Sequence, residues 1–201
     1  AAMTKKLDAD WVVGTNQGGR MSAAGIANTT YHVFLIKRPD TGVVDVGLDT
    51  SATAPTLPTN YTKARRIGSI RREAGAIVLE IRDGDYVRRK TPVLDVDNLA
   101  QTANTWTSRV LSVPLGIRVH VHFRLTDTGG GRLWTVRPPD ASDSATVSAT
   151  ASPLLVAHSS SLLAFDGLCL TDTSGQIDTN VNAGANFYLV TVGYWDRRGR
   201  G

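Results

Sequence analysis

Asp127, Arg132 and Trp134 flank a triglycine in the segment Asp127-Thr128-Gly129-Gly130-Gly131-Arg132-Leu133-Trp134. An aromatic ring beside a carboxylate and a guanidinium is a composition that carbohydrate sites use, because the ring stacks on a sugar face while the polar groups take hydroxyls. These three side chains are therefore the candidate ligand-binding residues. The competing expectation is a hairpin tip in which Trp134 belongs to the core and the glycines only make the turn.

Other chemistry finds less to stand on. His120 and His122 are two apart, so on a strand they share a face, a geometry metal sites use, but no third ligand is near in sequence. A serine nucleophile needs a base and a sharp elbow. No G-x-S-x-G occurs, and Ser159-Ser160-Ser161 after His158 reads as a polar turn. Asp166, Asp172 and Asp178 are scattered over turns and strand edges, which does not define a glycosidase pair. The triglycine lacks the following Lys-Ser/Thr of a phosphate loop. Cys169 is the single cysteine and lies in the apolar Leu168-Cys169-Leu170, so it is expected to be a buried thiol suited to a reducing compartment. No catalytic residue, metal or cofactor is assigned.

The elements that must position these residues are strands. Apolar and β-branched runs predict strands at 11–13, 31–38, 43–48, 61–70, 76–82, 86–90, 107–113, 118–125, 132–136, 162–170 and 187–195. The 118–125 segment alternates, with Val119, Val121, Phe123 and Leu125 on one face and Arg118, His120, His122 and Arg124 on the other. Pro39-Asp40-Thr41-Gly42 reads as the turn of a hairpin. The two prolines of 53–58 predict an irregular strap against the body. Only 96–103 has any helical flavour, and it is short and rich in Asn and Thr. Residues 140–152, DASDSATVSATAS, form either an exposed loop or an edge strand of small side chains. Trp11, Trp106 and Trp195 are expected in core or interface packing.

Composition fits one substantial core or two small ones: the chain has 201 residues, 41% hydrophobic and 20% charged. Neither an apolar run of membrane length nor a signal-like start is present, and Ala1-Ala2 before Met3 reads as a processing remnant. The formal charge of +4 raises nucleic acid as a partner. The basic groups Arg65-Arg66, Arg71-Arg72, Arg88-Arg89-Lys90 and Arg197-Arg198 are separated by apolar strands and carboxylates, and only Tyr86 by Arg88 and Trp195 by Arg197 pair an aromatic with a base. Neither nucleic-acid binding nor membrane insertion is expected.

The 31–70 block, YHVFLIKRPDTGVVDVGLDTSATAPTLPTNYTKARRIGSI, with the later VPLGIRV at 113–119 and GYWDRRGRG at 193–201, resembles bacteriophage virion proteins of the tail-fibre, collar-fibre and receptor-binding kind. That resemblance implies a compact β-sandwich, a homotrimer, and a place in the virion, assembled in the bacterial cytoplasm. It implies other virion proteins and a bacterial surface glycan or protein as partners.

The expected fold is all-β: a single antiparallel sandwich or jelly-roll-like domain over residues 29–201, preceded by an extended attachment arm over 1–28 that includes the glycine-bearing 14–27. The expected task is host attachment without turnover. Two alternatives stand beside it: a capsid-decorating or tail-structural subunit that touches only virion proteins, and a glycan-cleaving or esterase domain.

Overall fold

The computed structural model describes residues 2–129, 132–142, 155–156 and 163–198. Every regular element among them is a strand: β1 Lys5–Asp10, β2 Gln17–Arg20, β3 Thr30–Lys37, β4 Val44–Asp49, β5 Lys63–Glu73, β6 Ala76–Ile77, β7 Glu80–Asp83, β8 Tyr86–Gln101, β9 Thr107–Val110, β10 His120–Asp127, β11 Trp134–Arg137, β12 Leu155–Val156, β13 Leu163–Leu170, β14 Gln176–Val181 and β15 Ala185–Trp195. The protein is all-β, as its alternating pattern predicts. By its internal contacts it divides into two compact units, residues 1–78 with 196–201, and residues 79–195.

The first unit is a mixed six-stranded sheet in the order β1-β2-β4-β3-β5-β6. Its centre is the predicted hairpin. β3 and β4 run antiparallel from His32 opposite Asp49 to Lys37 opposite Val44, and Arg38 N–H donates to the Val43 carbonyl to close the turn. Alternation along β3 sends Tyr31 and Val33 into a cluster with Leu7 and Leu48, and Phe34 and Ile36 to the opposite face with Tyr61, Trp11, Met21 and Leu57. The 53–58 strap packs as expected: Leu57 joins the second cluster, and Thr56 N–H donates to the Asp49 carboxylate at 2.9 Å.

The expected arm is instead part of this sheet. β1 and β2 pair in parallel, and β2 in turn lies parallel to β4. Sequence alternation misses them because β2 is Gln-Gly-Gly-Arg and carries no apolar signal. Glycine is required at Gly18 by close approach, since a Cβ there would lie 1.8 Å from the Asp10 carbonyl oxygen. The anchor is a buried ion pair: Lys5 Nζ lies 3.0 Å from the Asp45 carboxylate, with side chains only 4% and 1% exposed. Asp45 also accepts from Gly14 N–H at 2.9 Å and Val46 N–H at 2.7 Å, while Lys5 donates to the Val12 carbonyl at 2.7 Å and lies 5.2 Å over the Trp11 ring.

In the second unit a five-stranded sheet, β13-β10-β15-β8-β7, and a four-stranded sheet, β12-β11-β14-β9, enclose one core. Val87, Val121, Phe123, Phe187, Leu189 and Tyr194 come from the first sheet and Trp134, Val136, Ile177 and Val181 from the second, all fully buried. The weakly helical 96–103 is a correction: β8 runs on to Gln101 because β15 pairs with it along its length. The local Asn and Thr content marks a bulge, with Asn98 at φ 45° opposite a register shift. Ser159-Ser160-Ser161, His158 and most of 140–152 lie outside the described residues.

Breaking the Lys5–Asp45 pair leaves an ammonium buried without its counter-charge, which costs about 3–5 kcal/mol. Asp45→Asn is therefore expected to lower the unfolding free energy by about 3 kcal/mol, read by urea titration. Limited proteolysis should leave 5–20 uncut in the parent and cleave it early in the variant. Early cleavage in the parent would contradict the integrated strands.

Candidate functional site

The structure brings Asp127, Arg132 and Trp134 together, but inside the protein. Asp127 ends β10. Its carboxylate accepts from Trp134 Nε1 at 3.0 Å, Gly129 N–H at 2.8 Å and Arg132 Nη1 at 3.0 Å. Trp134 is 0% exposed and Asp127 2%, with the indole 4.7 Å from the Phe187 ring. A ring with no accessible face cannot stack on a sugar, so the expected ligand site is a buried hydrogen-bond node, and the expected hairpin is absent because β10 and β11 belong to different sheets. Gly130 and Gly131 lie outside the described residues.

The remaining candidates are also occupied. Asp166 takes a two-point hydrogen bond from Arg124, at 2.8 and 3.0 Å, and that bond holds its carboxyl below the usual carboxylate range. Asp172 accepts from Ser174 and Gln176 N–H and shapes its own turn. Asp178 takes the Ser108 hydroxyl at 2.7 Å and Arg137 Nε at 3.3 Å. In the first unit His32 Nδ1 and Ser69 Oγ share a hydrogen bond of 3.0 Å, and Ser69 Oγ donates to Asp196 at 3.3 Å. The serine sits between histidine and carboxylate, whereas nucleophile activation needs the histidine in the middle. All three are buried, and Arg66 neutralises Asp196 through bonds of 2.9 and 2.5 Å. Cys169 is buried opposite Val121, and burial pushes its thiol up to about 12. Among the described residues no group of three or more potential ligands could hold a metal ion.

What the sheet does present is the outer face of β13-β10-β15-β8-β7. Directly paired residues point to the same side, so the register sets out rows across it. One row runs Leu168, His122, Gly193, Arg88 and Ile81, and the next runs Leu170, His120, Trp195, Tyr86 and Asp83. The Tyr86 and Trp195 rings lie 4.4 Å apart at 35°, and the Tyr86 hydroxyl shares a 2.9 Å hydrogen bond with His122 Nδ1. His122 is 6.3 Å from the Trp195 ring. All three are half-buried. Arg124 with Asp166 borders this cluster on one side, and exposed Arg88 on the other.

Glycine 193 makes the arrangement possible. A Cβ there would come within 2.6 Å of the Val87 carbonyl oxygen and 2.8 Å of the Tyr86 hydroxyl. The Tyr86 ring therefore crosses the bare backbone of β15 to reach His122 on β10. Partial burial raises the Tyr86 pKa, opposed by the Arg88 charge. The sequence does carry a trace of this site, in the Tyr86–Arg88 and Trp195–Arg197 adjacencies. What it lacks is the strand pairing that sets Tyr86 opposite Trp195 and both beside His122.

Tyr86→Phe removes one half-buried hydrogen bond and should cost about 1 kcal/mol. Gly193→Ala forces either Tyr86 or the β8 backbone to move and should cost about 1–3 kcal/mol. Thermal unfolding gives the stability, and the imidazole resonances of His122 report whether the hydroxyl still meets Nδ1. Unchanged resonances in Tyr86→Phe would contradict the bond. No family model, curated protein or solved structure matches the chain, so its function has to be read from these residues.

Proposed function

We propose that this chain is a structural protein of a bacteriophage or phage-like particle, a tail-fibre or receptor-binding protein that attaches the particle to a bacterial surface by recognising a glycan without turning it over. The single observation that carries the recognition reading is the outer face built on Tyr86, His122 and Trp195. Paired, half-exposed aromatic rings bordered by guanidinium and carboxylate groups suit the apolar face and hydroxyl rim of a sugar. The virion assignment rests on the resemblance of the 31–70 block to phage attachment proteins. The expected homotrimer belongs to the same reading.

The face replaces Asp127, Arg132 and Trp134 as the place where a ligand is met. It lies on paired strands, which keeps the two rings at fixed spacing before any ligand arrives and lowers the ordering cost of binding.

Light scattering across a concentration series is expected to give a concentration-independent trimer. Labelled protein should bind host cells, and Trp195→Ala should weaken that binding by about thirtyfold, the loss typical of an aromatic anchor worth 2 kcal/mol. A Trp195→Ala protein that unfolds like the parent and binds cells equally well would remove the face from the attachment reading. Release of reducing sugar from host polysaccharide would favour the glycan-cleaving alternative.

A further inference from the structure

We infer that the sugar met by this face is acidic, its carboxylate or phosphate taken by the guanidinium of Arg88. The inference deepens the glycan reading of the Tyr86–Trp195 face and rests on it.

Three observations lead there. First, the charges around the rings are unequally committed. Arg124 is held at two points by Asp166, so each largely cancels the other. Arg88 is exposed and has neither a hydrogen bond nor an ion pair among the described residues.

Second, Arg88 is placed by the fold at the rings themselves. It follows Tyr86 by two on β8, hence lies on the same face, and it is opposite Gly193, over which the Tyr86 ring lies, so Arg88 shares that part of the face with the ring. Its charge is close enough to act on the Tyr86 hydroxyl. A ligand lying on the Tyr86 and Trp195 rings therefore has a cation at its border on the β8 side and the His122 imidazole on the β10 side.

Third, the chemistry suits an oxyanion. A guanidinium presents parallel N–H groups that match a carboxylate or phosphate edge at two points, whereas a neutral hydroxyl takes only one. Asp83, opposite Tyr86 on the edge strand β7, is the nearest uncompensated carboxylate in the register. It lies beyond Tyr86 from Trp195, in the row next to that of Arg88, which is opposite Ile81.

The probes are an oligoglucuronate, an oligoglucose of the same length and linkage, and glucose 6-phosphate, each titrated calorimetrically into the full chain. The oligoglucuronate is expected to bind about tenfold tighter than the neutral oligosaccharide, by one added charge-assisted contact. That ratio should fall toward one in Arg88→Gln. It should persist in Arg65→Gln, which removes an equal charge from an exposed position on β5. Tighter binding of glucose 6-phosphate than of glucose identifies phosphate as a second acceptable acid.

Equal affinities for the acidic and neutral sugars in the parent overturn the inference while leaving the glycan reading intact. So does a preference that survives Arg88→Gln, or one that Arg65→Gln abolishes equally. Loss of all sugar binding in a folded Trp195→Ala protein, with the preference intact in the parent, supports both. Absence of binding by every probe at millimolar concentration overturns both.

Discussion

The pleat of β8, β10 and β15 is the constraint on which the second unit depends. Along these strands successive side chains must point to opposite sides, so fixing one face fixes the other. Val87, Val121, Phe123 and Tyr194 fill the core without exposed surface. Their neighbours Tyr86, Arg88, His122 and Trp195 are thereby committed to the outer face, in a register set by core packing. A slip of one residue would carry Arg88 and His122 into the core and Phe123 out to water, which is why the rows across the face are held as firmly as the interior. The two rings need no loop to hold them.

A second ordering principle is the buried carboxylate used as a node. Asp45 gathers Lys5 and Gly14 N–H, Asp127 gathers Gly129, Arg132 and Trp134, and Asp196 gathers Arg66, Ser69 and Arg198 N–H. A carboxylate taken out of water is costly unless its lone pairs are filled and its charge offset. In each case a backbone or indole N–H and a cation together meet that requirement. Asp196 and Arg66 are 130 residues apart, so the bond ties into the first unit a residue that returns from far along the sequence.

Much of the architecture was legible because period-two alternation leaves a strong trace wherever one face is buried. The β3–β4 hairpin, its turn, the proline strap and the two faces of β10 all show it. The failures have separate physical causes. β2 is glycine-rich because its backbone must approach β1, which erases the apolar signal. β14, Gln176–Val181, is buried on both faces yet mixes Asp178, Thr179 and Asn180 with Ile177 and Val181, so it has no hydrophobic face to read. β8 is predicted only as far as Lys90 because its register with β15 slips between Arg88 and Val93, between Leu94 and Val96 and between Val96 and Leu99, which breaks alternation along most of the paired strand. The candidate site failed for a different reason. Asp127, Arg132 and Trp134 were rightly seen as neighbours, but nearness in sequence does not say which side of the sheet a ring faces. Tyr86, His122 and Trp195 are neighbours only because β15 pairs with both β8 and β10, and a contact such as Tyr86–His122, 36 residues apart across β15, leaves no mark on a lone sequence.

The way the polar groups are used also bears on the choice between binding and turnover. Catalytic groups are held ready by environments that leave a proton or a charge available to the substrate, whereas binding groups work by being fixed. The described carboxylates nearest to candidate chemistry are engaged by their own neighbours: Asp127 by Trp134 and Arg132, Asp166 by Arg124, and Asp178 by Ser108 and Arg137. The thiol of Cys169 is pushed away from its reactive form. By contrast the outer face combines groups that are fixed and still accessible: Tyr86 tied to His122 across Gly193, Trp195 against Tyr86, and Arg124 locked to Asp166. Arg88 alone in that set keeps an uncommitted charge beside rings that cannot rotate away from it. On the attachment reading proposed above, a surface so arranged would contribute orientation and complementarity to a ligand, and its selectivity would turn on what Arg88 can pair with.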